Sequence, residues 1–295
     1  MAVAGAVCIA AAVAAWLIVG GGRPGRPHPH TTTTAARPGP PRAPAAVPAV
    51  VPRGRGQLAA DLGLAEGVIG RRSSSTRELA AAGLFEELAT GALEGQTPAA
   101  RRATLSLLSP QARAGMQVDL AAAAALSSLG ERRRRLPPWR IIAPPPPAQL
   151  LGYFRAGQSR YRVPWEYLAA IELIETRFGR IRGPSSAGAQ GPMQFLPATW
   201  ASYGHGSIDN PRDAILAAAR YLATNGAPGD MADALYHYNN SRSYVAAVRA
   251  YATRMQRTPR AYDGYYYWQV IYSYAGHTVI LPVGFPRVRP VPVGP

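Results

Sequence analysis

The chain has 295 residues, which allows one domain of ordinary size with additional segments, or two small domains. Its formal net charge is +16, and all 32 basic residues are arginine, because the sequence contains no lysine. These arginines neither cluster on one predicted helix nor accompany a nucleic-acid-binding motif, so the composition argues against nucleic acid and leaves anionic lipid or an acidic cell-wall polymer as polyanionic partners.

A run without charged residues, residues 2–22, opens the chain, and about twenty apolar residues suffice to cross a bilayer as a helix. We interpret residues 1–22 as a signal peptide or a membrane anchor, although no basic residue precedes the run. Cys8 lies within it; as the only cysteine it can form no internal disulfide, and its neighbours do not match a lipidation site. The arginines that follow the run would favour a cytoplasmic location for the rest of the chain. We nevertheless predict export, because of the motifs at residues 163–255.

Proline-rich segments divide the remainder of the chain. Residues 23–56 cannot supply a packed core and are predicted to be a disordered linker. Residues 136–150 are predicted to be a second joint, with a stiff polyproline II run at residues 144–147. Residues 282–295 form a proline-rich tail.

Residues 57–135, between the two proline-rich joints, are rich in alanine and leucine at helical spacing, which predicts three or four short helices. Two helix starts are visible as a hydroxyl residue followed by proline, at Thr97-Pro98 and Ser109-Pro110. The sequence assigns no chemistry to this helical region.

Residues 151–281 carry the motifs on which a function can be argued. Their main helix is predicted from the stretch VPWEYLAAIELIETRFG, in which apolar residues recur at intervals of three and four and indicate a core-facing stripe. Glu172 and Glu175 are three residues apart and therefore share a helical face beside that stripe. Gly179 is suited to end the helix in a left-handed cap.

A carboxyl group beside an apolar stripe favours its protonated form, because burial disfavours the charged one. Such an acid can donate a proton to a leaving oxygen, which is what cleavage of a glycosidic bond requires. Glutamates on a helix are also commonly solvated. From these residues alone, a catalytic pair and a solvated pair both stay open.

The segment that follows, SSAGAQGPMQFLPATW, has the composition of a substrate-binding loop. Gly188 and Gly191 allow the backbone to approach a ligand closely. Gln194 supplies an amide, and Phe195 and Trp200 supply aromatic faces on which sugar rings can stack.

This combination resembles the lytic transglycosylases and goose-type lysozymes, whose signature runs Glu-Ser, a short loop, Ser-x-x-Gly-Ala-x-Gly-Leu-Met-Gln and then Pro-x-Thr. Glu175-Thr176 stands at the Glu-Ser pair, and Ser185 follows Glu175 by ten residues, an interval slightly longer than the commonest family loop. Pro192 replaces the usual leucine, as in the membrane-bound type B branch and its actinobacterial relatives. The other matching positions are Gly188, Ala189, Gly191, Met193, Gln194, Pro197 and Thr199.

A later motif, GDMADALYHYN, adds to the resemblance. The spacing of Asp230 and Asp233 is that of a helix N-cap and its third residue, so we assign both aspartates to capping. The helix that they begin ends with Tyr236, Tyr238 and Asn239, which resemble the family's Tyr-Asn motif. The resemblance places Tyr238 near the acid and gives Asn239 a part in shaping the site.

The resemblance implies a mostly α-helical, lysozyme-like catalytic domain with a cleft between two lobes, acting on the glycan strands of peptidoglycan. Ordinary glycosidases use two carboxylates. In lytic transglycosylases a single glutamate protonates the oxygen between N-acetylmuramic acid and N-acetylglucosamine. It then deprotonates the muramyl C6 hydroxyl, which attacks the anomeric carbon and gives a 1,6-anhydro product.

The resemblance makes Glu175 that glutamate, and no cofactor or metal is expected. The residues expected to bind substrate are Ser185, Gly188, Gln194, Phe195, Tyr236, Tyr238 and Asn239. Two alternatives stay open, a muramidase that hydrolyses the same bond with water and a catalytically silent peptidoglycan-binding module. We expect a monomer that is exported and either secreted or held at the membrane by its N-terminal segment.

Overall fold

The structure, a computed structural model, describes residues 46–48, 50–129 and 133–293, and it is mostly helical, as predicted. The predicted signal or anchor segment, residues 1–22, and most of the predicted linker lie outside the described residues. In the part that is described, no helix combines the length and the apolar character needed to span a bilayer.

The N-terminal helical region consists of four helices, α1 (Arg55–Gly70), α2 (Thr76–Glu94), α3 (Pro98–Leu105) and α4 (Pro110–Ser127). Thr97 and Ser109 cap α3 and α4 through their side-chain oxygens, which confirms both predicted helix starts. Apolar residues from all four helices share one core, among them Leu62, Phe85, Leu105 and Met116.

The remainder of the described chain contains seven helices and five short strands. They are β1 (Arg140–Ile141), α5 (Pro147–Tyr161), α6 (Trp165–Thr176), β2 (Ile181–Arg182), α7 (Pro197–Tyr203), α8 (Pro211–Thr224), α9 (Met231–Tyr238), α10 (Arg242–Arg257), α11 (Ala261–Tyr266), β3 (Val270–Tyr274), β4 (His277–Leu281) and β5 (Val291–Pro292). The side chain of Asp230 accepts a hydrogen bond from the N–H of Asp233, so the predicted capping role is confirmed. Strand β1 pairs antiparallel with β2, and β3, β4 and β5 form a second antiparallel sheet.

Helix α6 lies at the centre of this second part, in contact with α5, α8, α10 and α11. Every residue from Leu168 to Thr176 is buried, so this part of the helix has no solvated face. A helix enclosed on all sides is typical of the middle of a core. The alternative that Glu172 and Glu175 form a solvated pair is therefore wrong.

The end of α6 differs from the prediction. The helix stops at Thr176, three residues before Gly179, and Arg177, Phe178 and Gly179 all have positive φ angles, of 53°, 58° and 77°. This conformation is unfavourable for residues with a side chain and persists only where surrounding contacts hold it. The N–H of Arg177 donates to Leu173 O at 3.2 Å, and the N–H of Gly179 donates to the hydroxyl of Thr176 at 3.0 Å.

The N-terminal helices pack directly against the second part, with α4 on α10 and α2 on α11. At this contact Arg254 of α10 is buried and forms ion pairs with carboxylates from three different helices. Its partners are Glu66 of α1 at 2.6 Å, Glu86 of α2 at 2.5 Å, and Asp119 of α4. The predicted division into a helical region and a separate catalytic domain stays a prediction.

Candidate active site

Glu175 lies in the last turn of α6 and is only 4% exposed. The hydroxyl of Tyr244 donates a hydrogen bond to its Oε1 at 2.7 Å. Burial raises the pKa of Glu175 to about 8, and the Tyr244 hydrogen bond opposes that shift. The carboxyl is therefore mainly protonated at neutral pH, which is the state that a general acid needs.

Tyr244 is the residue of this site that the sequence analysis missed. It stands in the first turn of α10, where the N-cap side chain of Ser241 accepts a hydrogen bond from its N–H at 3.2 Å. Burial raises the pKa of the Tyr244 hydroxyl well above its usual value, so the hydroxyl stays a donor. Its place in the first turn after the Tyr-Asn motif is a signal that could have directed attention to it.

Tyr238, which the resemblance placed near the acid, lies beside Tyr244. The two rings are nearly parallel, at 5°, with centroids 6.4 Å apart. The Tyr238 hydroxyl, however, donates to the carbonyl of Met193 at 2.6 Å. Tyr238 therefore holds the loop after α6, while Tyr244 holds the carboxyl.

The turn at residues 185–189 is organised by Ser185. Its hydroxyl oxygen accepts hydrogen bonds from the N–H groups of Ala187 and Ala189, at 3.2 and 3.1 Å. Its own N–H donates to Ala189 O at 2.9 Å, and the N–H of Gly188 donates to Ser185 O at 3.0 Å. Ser185 thus closes the small-residue turn that the sequence marked as a place of close approach.

Three consecutive carbonyls, those of residues 191–193, fix the rest of the loop. The side-chain amide of Gln194 donates to Gly191 O at 3.0 Å, and the hydroxyl of Thr176 donates to Pro192 O at 2.6 Å. The third carbonyl, that of Met193, receives the Tyr238 hydroxyl. Because Thr176 directly follows Glu175, these bonds tie the loop to the turn of α6 that carries the acid.

Replacing Gly191 with alanine is expected to destabilise the protein by about 2–5 kcal/mol. Gly191 has a φ of +72°, and an added Cβ would lie 2.0 Å from the carbonyl oxygen of Ile208. Gly188→Ala is the matched control, because its φ is +81° but nothing lies within 4 Å of the added Cβ. Thermal unfolding of both variants should show the larger loss for Gly191→Ala, and equal losses would contradict the close packing on Ile208.

Phe195 does not present a face to a ligand. It is 2% exposed, and its ring packs edge-on against Trp200, Tyr221 and Tyr238, with centroid distances of 5.8, 6.5 and 5.9 Å. An enclosed ring offers no surface on which a sugar can stack. The structure therefore favours a packing role for Phe195.

The two remaining predicted residues of the Tyr-Asn motif have opposite surroundings. Tyr236 is 40% exposed and keeps an accessible ring on α9. Asn239 is buried, and its Nδ2 has no hydrogen-bond partner within the described ranges. A buried donor without a partner costs about 1–3 kcal/mol, so such groups tend to be retained where a ligand supplies the acceptor.

Glu172 is the second buried carboxyl of α6, beside Glu175, and has no exposed surface. Neither of its oxygens has a hydrogen-bond partner among the residues that the structure describes. Burial raises its pKa to about 8, opposed by the charge of Arg182. In the same described ranges, no cluster of three or more His, Cys, Asp or Glu side chains is placed to hold a metal ion.

Comparison with known proteins gives one family match. Residues 152–275 match the model of the family described as Transglycosylase SLT domain. This segment runs from α5 to the end of β3 and covers less than half of the chain. No curated protein and no solved structure matches the chain. The match supports a domain of the lysozyme-like transglycosylase superfamily, whose members cleave the glycan of peptidoglycan, and the type B subtype stays a prediction.

Proposed function

We propose that this protein is an exported lytic transglycosylase that cleaves the β-1,4 bond between N-acetylmuramic acid and N-acetylglucosamine in peptidoglycan. The observation that carries the proposal is the carboxyl of Glu175, buried and held by Tyr244 inside the segment that matches the family. Peptidoglycan lies outside the cytoplasmic membrane, so a protein that cleaves it must be exported. The net charge of +16 suits a polyanionic wall.

The first step is protonation of the glycosidic oxygen by Glu175. Because Tyr244 donates to Oε1, the acidic proton resides on Oε2, which is the oxygen left to face a substrate. As the proton transfers, the bond between the anomeric carbon and the glycosidic oxygen breaks, and the N-acetylglucosamine side leaves with its new hydroxyl.

In the second step the Glu175 carboxylate accepts the proton of the muramyl C6 hydroxyl. The oxygen of that hydroxyl forms a bond to the anomeric carbon, which closes the 1,6-anhydro ring and returns Glu175 to its protonated state. The Tyr244 hydrogen bond stabilises the carboxylate between the steps, since it opposes the rise in the pKa of Glu175. Water is not consumed, so the two products together have the mass of the substrate.

Substrate contacts are assigned to the groups around this carboxyl. The buried Nδ2 of Asn239 has no partner in the part of the chain that the structure describes, and an acetamido or hydroxyl oxygen of the glycan would satisfy it. The turn at Ser185 and Gly188 carries no large side chain, so a glycan strand can approach its backbone closely. Gln194 and Tyr238 hold the neighbouring backbone. Tyr236 offers an exposed ring for stacking.

Two observations favour this function over its alternatives. A hydrolytic muramidase needs a second group to position water, and Glu172, the other buried carboxyl of α6, is enclosed and mainly protonated at neutral pH. A silent binding module has no use for a protonated buried carboxyl that is also held by a hydrogen-bond donor, as Glu175 is by Tyr244, because burial of the carboxyl costs stability.

Product analysis tests the proposal. Purified cell wall is digested with the protein, and the soluble muropeptides are identified by mass spectrometry, with Glu175→Gln as the inactive reference. We expect 1,6-anhydro-muramyl ends, one water lighter than reducing ends. Reducing ends alone would show that the protein is a hydrolytic muramidase. The absence of any soluble product would support the non-catalytic binding module.

A further inference from the structure

Arg177 directly follows Glu175-Thr176, and its side chain turns back along α6. The residue is buried, has a φ of 53°, and donates from Nη1 to the carbonyl of Leu173 at 2.9 Å. Its Nε donates to the carbonyl of Gln269 at 3.3 Å, just before β3. The guanidinium therefore caps the end of α6 and fastens it to the segment after α11.

The countercharge of this guanidinium comes from the N-terminal helical region. Glu87 of α2 is buried, and its Oε1 lies 3.5 Å from Nη2 of Arg177. Burial raises the pKa of Glu87 to about 7, opposed by the charge of Arg177 and by the hydrogen bond from Gln269, so the carboxylate is well populated from neutral pH upward. Its Oε2 accepts a hydrogen bond from the N–H of Gln269 at 2.6 Å. Glu87 thus contacts both Arg177 and Gln269, the residue to which Arg177 donates.

A buried guanidinium is strongly disfavoured unless an opposite charge and hydrogen bonds compensate its lost hydration. Without the carboxylate of Glu87, movement of the Arg177 side chain toward water would lower the free energy, because it would restore the hydration of the guanidinium. That movement would release the carbonyl of Leu173 and relax the positive-φ turn at residues 177–179. The same turn sets the hydroxyl of Thr176 on Pro192 O and the side chain of Glu175 in its last helical turn.

We propose that Glu87 is a positioning residue for the glycan-cleaving reaction, acting through Arg177 on the turn of α6 that carries Glu175. The proposal rests on the proposed function, because it takes Glu175 as the reacting acid. It gives the helical region at residues 57–135 a part in catalysis, as the source of the charge that holds the acid in place. Small displacements of a catalytic group are costly, since about 1 Å can cost about 10²-fold in rate.

The test is Glu87→Gln, which keeps the shape of the side chain and an acceptor for Gln269 but removes the charge. We expect kcat on soluble glycan strands to fall by about tenfold or more while KM changes by less than about twofold, because residue 87 is not one of the residues to which substrate contacts are assigned. The assay counts all released muropeptides, whether anhydro or reducing. Failure of the anhydro assignment and failure of positioning by Glu87 are therefore distinguishable.

Glu66→Gln is the matched control. It also removes a carboxyl group with which the N-terminal helices hold a buried arginine, but that arginine is Arg254 of α10, whose ion pairs are with α1, α2 and α4. We expect Glu66→Gln to lower the unfolding temperature and to leave kcat near the wild-type value. A loss of kcat in both variants in proportion to their loss of stability would overturn the proposal, as would an unchanged kcat in Glu87→Gln.

A double substitution covers the case in which Glu87→Gln does not fold. Glu87→Leu with Arg177→Met replaces the ion pair with apolar side chains, an exchange that is often tolerated in cores. Positioning through the pair predicts a reduced kcat with KM near the wild-type value in this folded protein. A wild-type kcat in the double variant would overturn the proposal.

Discussion

Replacing Glu175 with glutamine is expected to lower the rate of muropeptide release by roughly 10²- to 10⁴-fold. The amide has nearly the same shape and can still accept the Tyr244 hydrogen bond, but it can neither protonate the glycosidic oxygen nor remove a proton from the C6 hydroxyl. Release of soluble muropeptides from purified cell wall measures the effect. Equal activity in the variant would exclude Glu175 as the acid.

Glu166→Gln is the control on the same helix. Glu166 lies in the first turn of α6, two turns or more from the acid, and is only partly buried. The same chemical change there is expected to leave the rate unchanged. A similar loss in both variants would point to a general disturbance of α6.

The pH dependence of stability checks that Glu175→Gln is folded. The pKa of Glu175 is about 8 in the folded protein and 4.5 for an exposed glutamate, so between these values the folded protein holds a proton that the unfolded chain has released. Burial of this carboxyl therefore costs stability that grows from pH 4.5 to about pH 8, by at most about 1.4 kcal/mol for each pH unit. Glutamine does not titrate, so the unfolding temperature of the variant should rise relative to wild type between pH 5 and pH 8.

Tyr244→Phe is the second substitution with a large expected effect. Removing a hydrogen bond to a group that becomes charged costs about 1.5–3 kcal/mol, which corresponds to a loss of roughly 10- to 100-fold in kcat. Because the Tyr244 hydrogen bond opposes the rise in the pKa of Glu175, its loss should raise that pKa further. The alkaline limb of the kcat profile, where the acid loses its proton, should move to higher pH.

Tyr238→Phe separates this effect from a change in the loop. The Tyr238 ring lies parallel to that of Tyr244, but its hydroxyl donates to Met193 O and not to the carboxyl. We expect reduced activity from the loosened loop without a shift of the alkaline limb. An alkaline limb that stays in place, or moves to lower pH, in Tyr244→Phe would contradict the assignment of Tyr244.

The residues that the sequence predicted well are those whose role depends on their near neighbours. Thr97, Ser109 and Asp230 cap the helices that they begin, because a cap needs only a side-chain oxygen and an N–H three residues away. The apolar spacing around Glu175 predicted a helix with a core-facing stripe, and the order of motifs predicted the segment that matches the family. These features are encoded in stretches of fewer than twenty residues, where local geometry decides.

The partners within the site were decided by tertiary structure. Tyr244 and Glu175 are 69 residues apart, and which of two stacked tyrosines reaches the carboxyl depends on how α10 packs on α6. The sequence predicted that Phe195 presents an aromatic face to a sugar ring, but neighbouring aromatic rings enclose it. Glu87 and Gln269 are 182 residues apart, and no local pattern marks a carboxylate on α2 as the partner of a turn in α6. Sequence periodicity states which face of a helix is buried, whereas the choice of contact across that face depends on the packing of the whole chain.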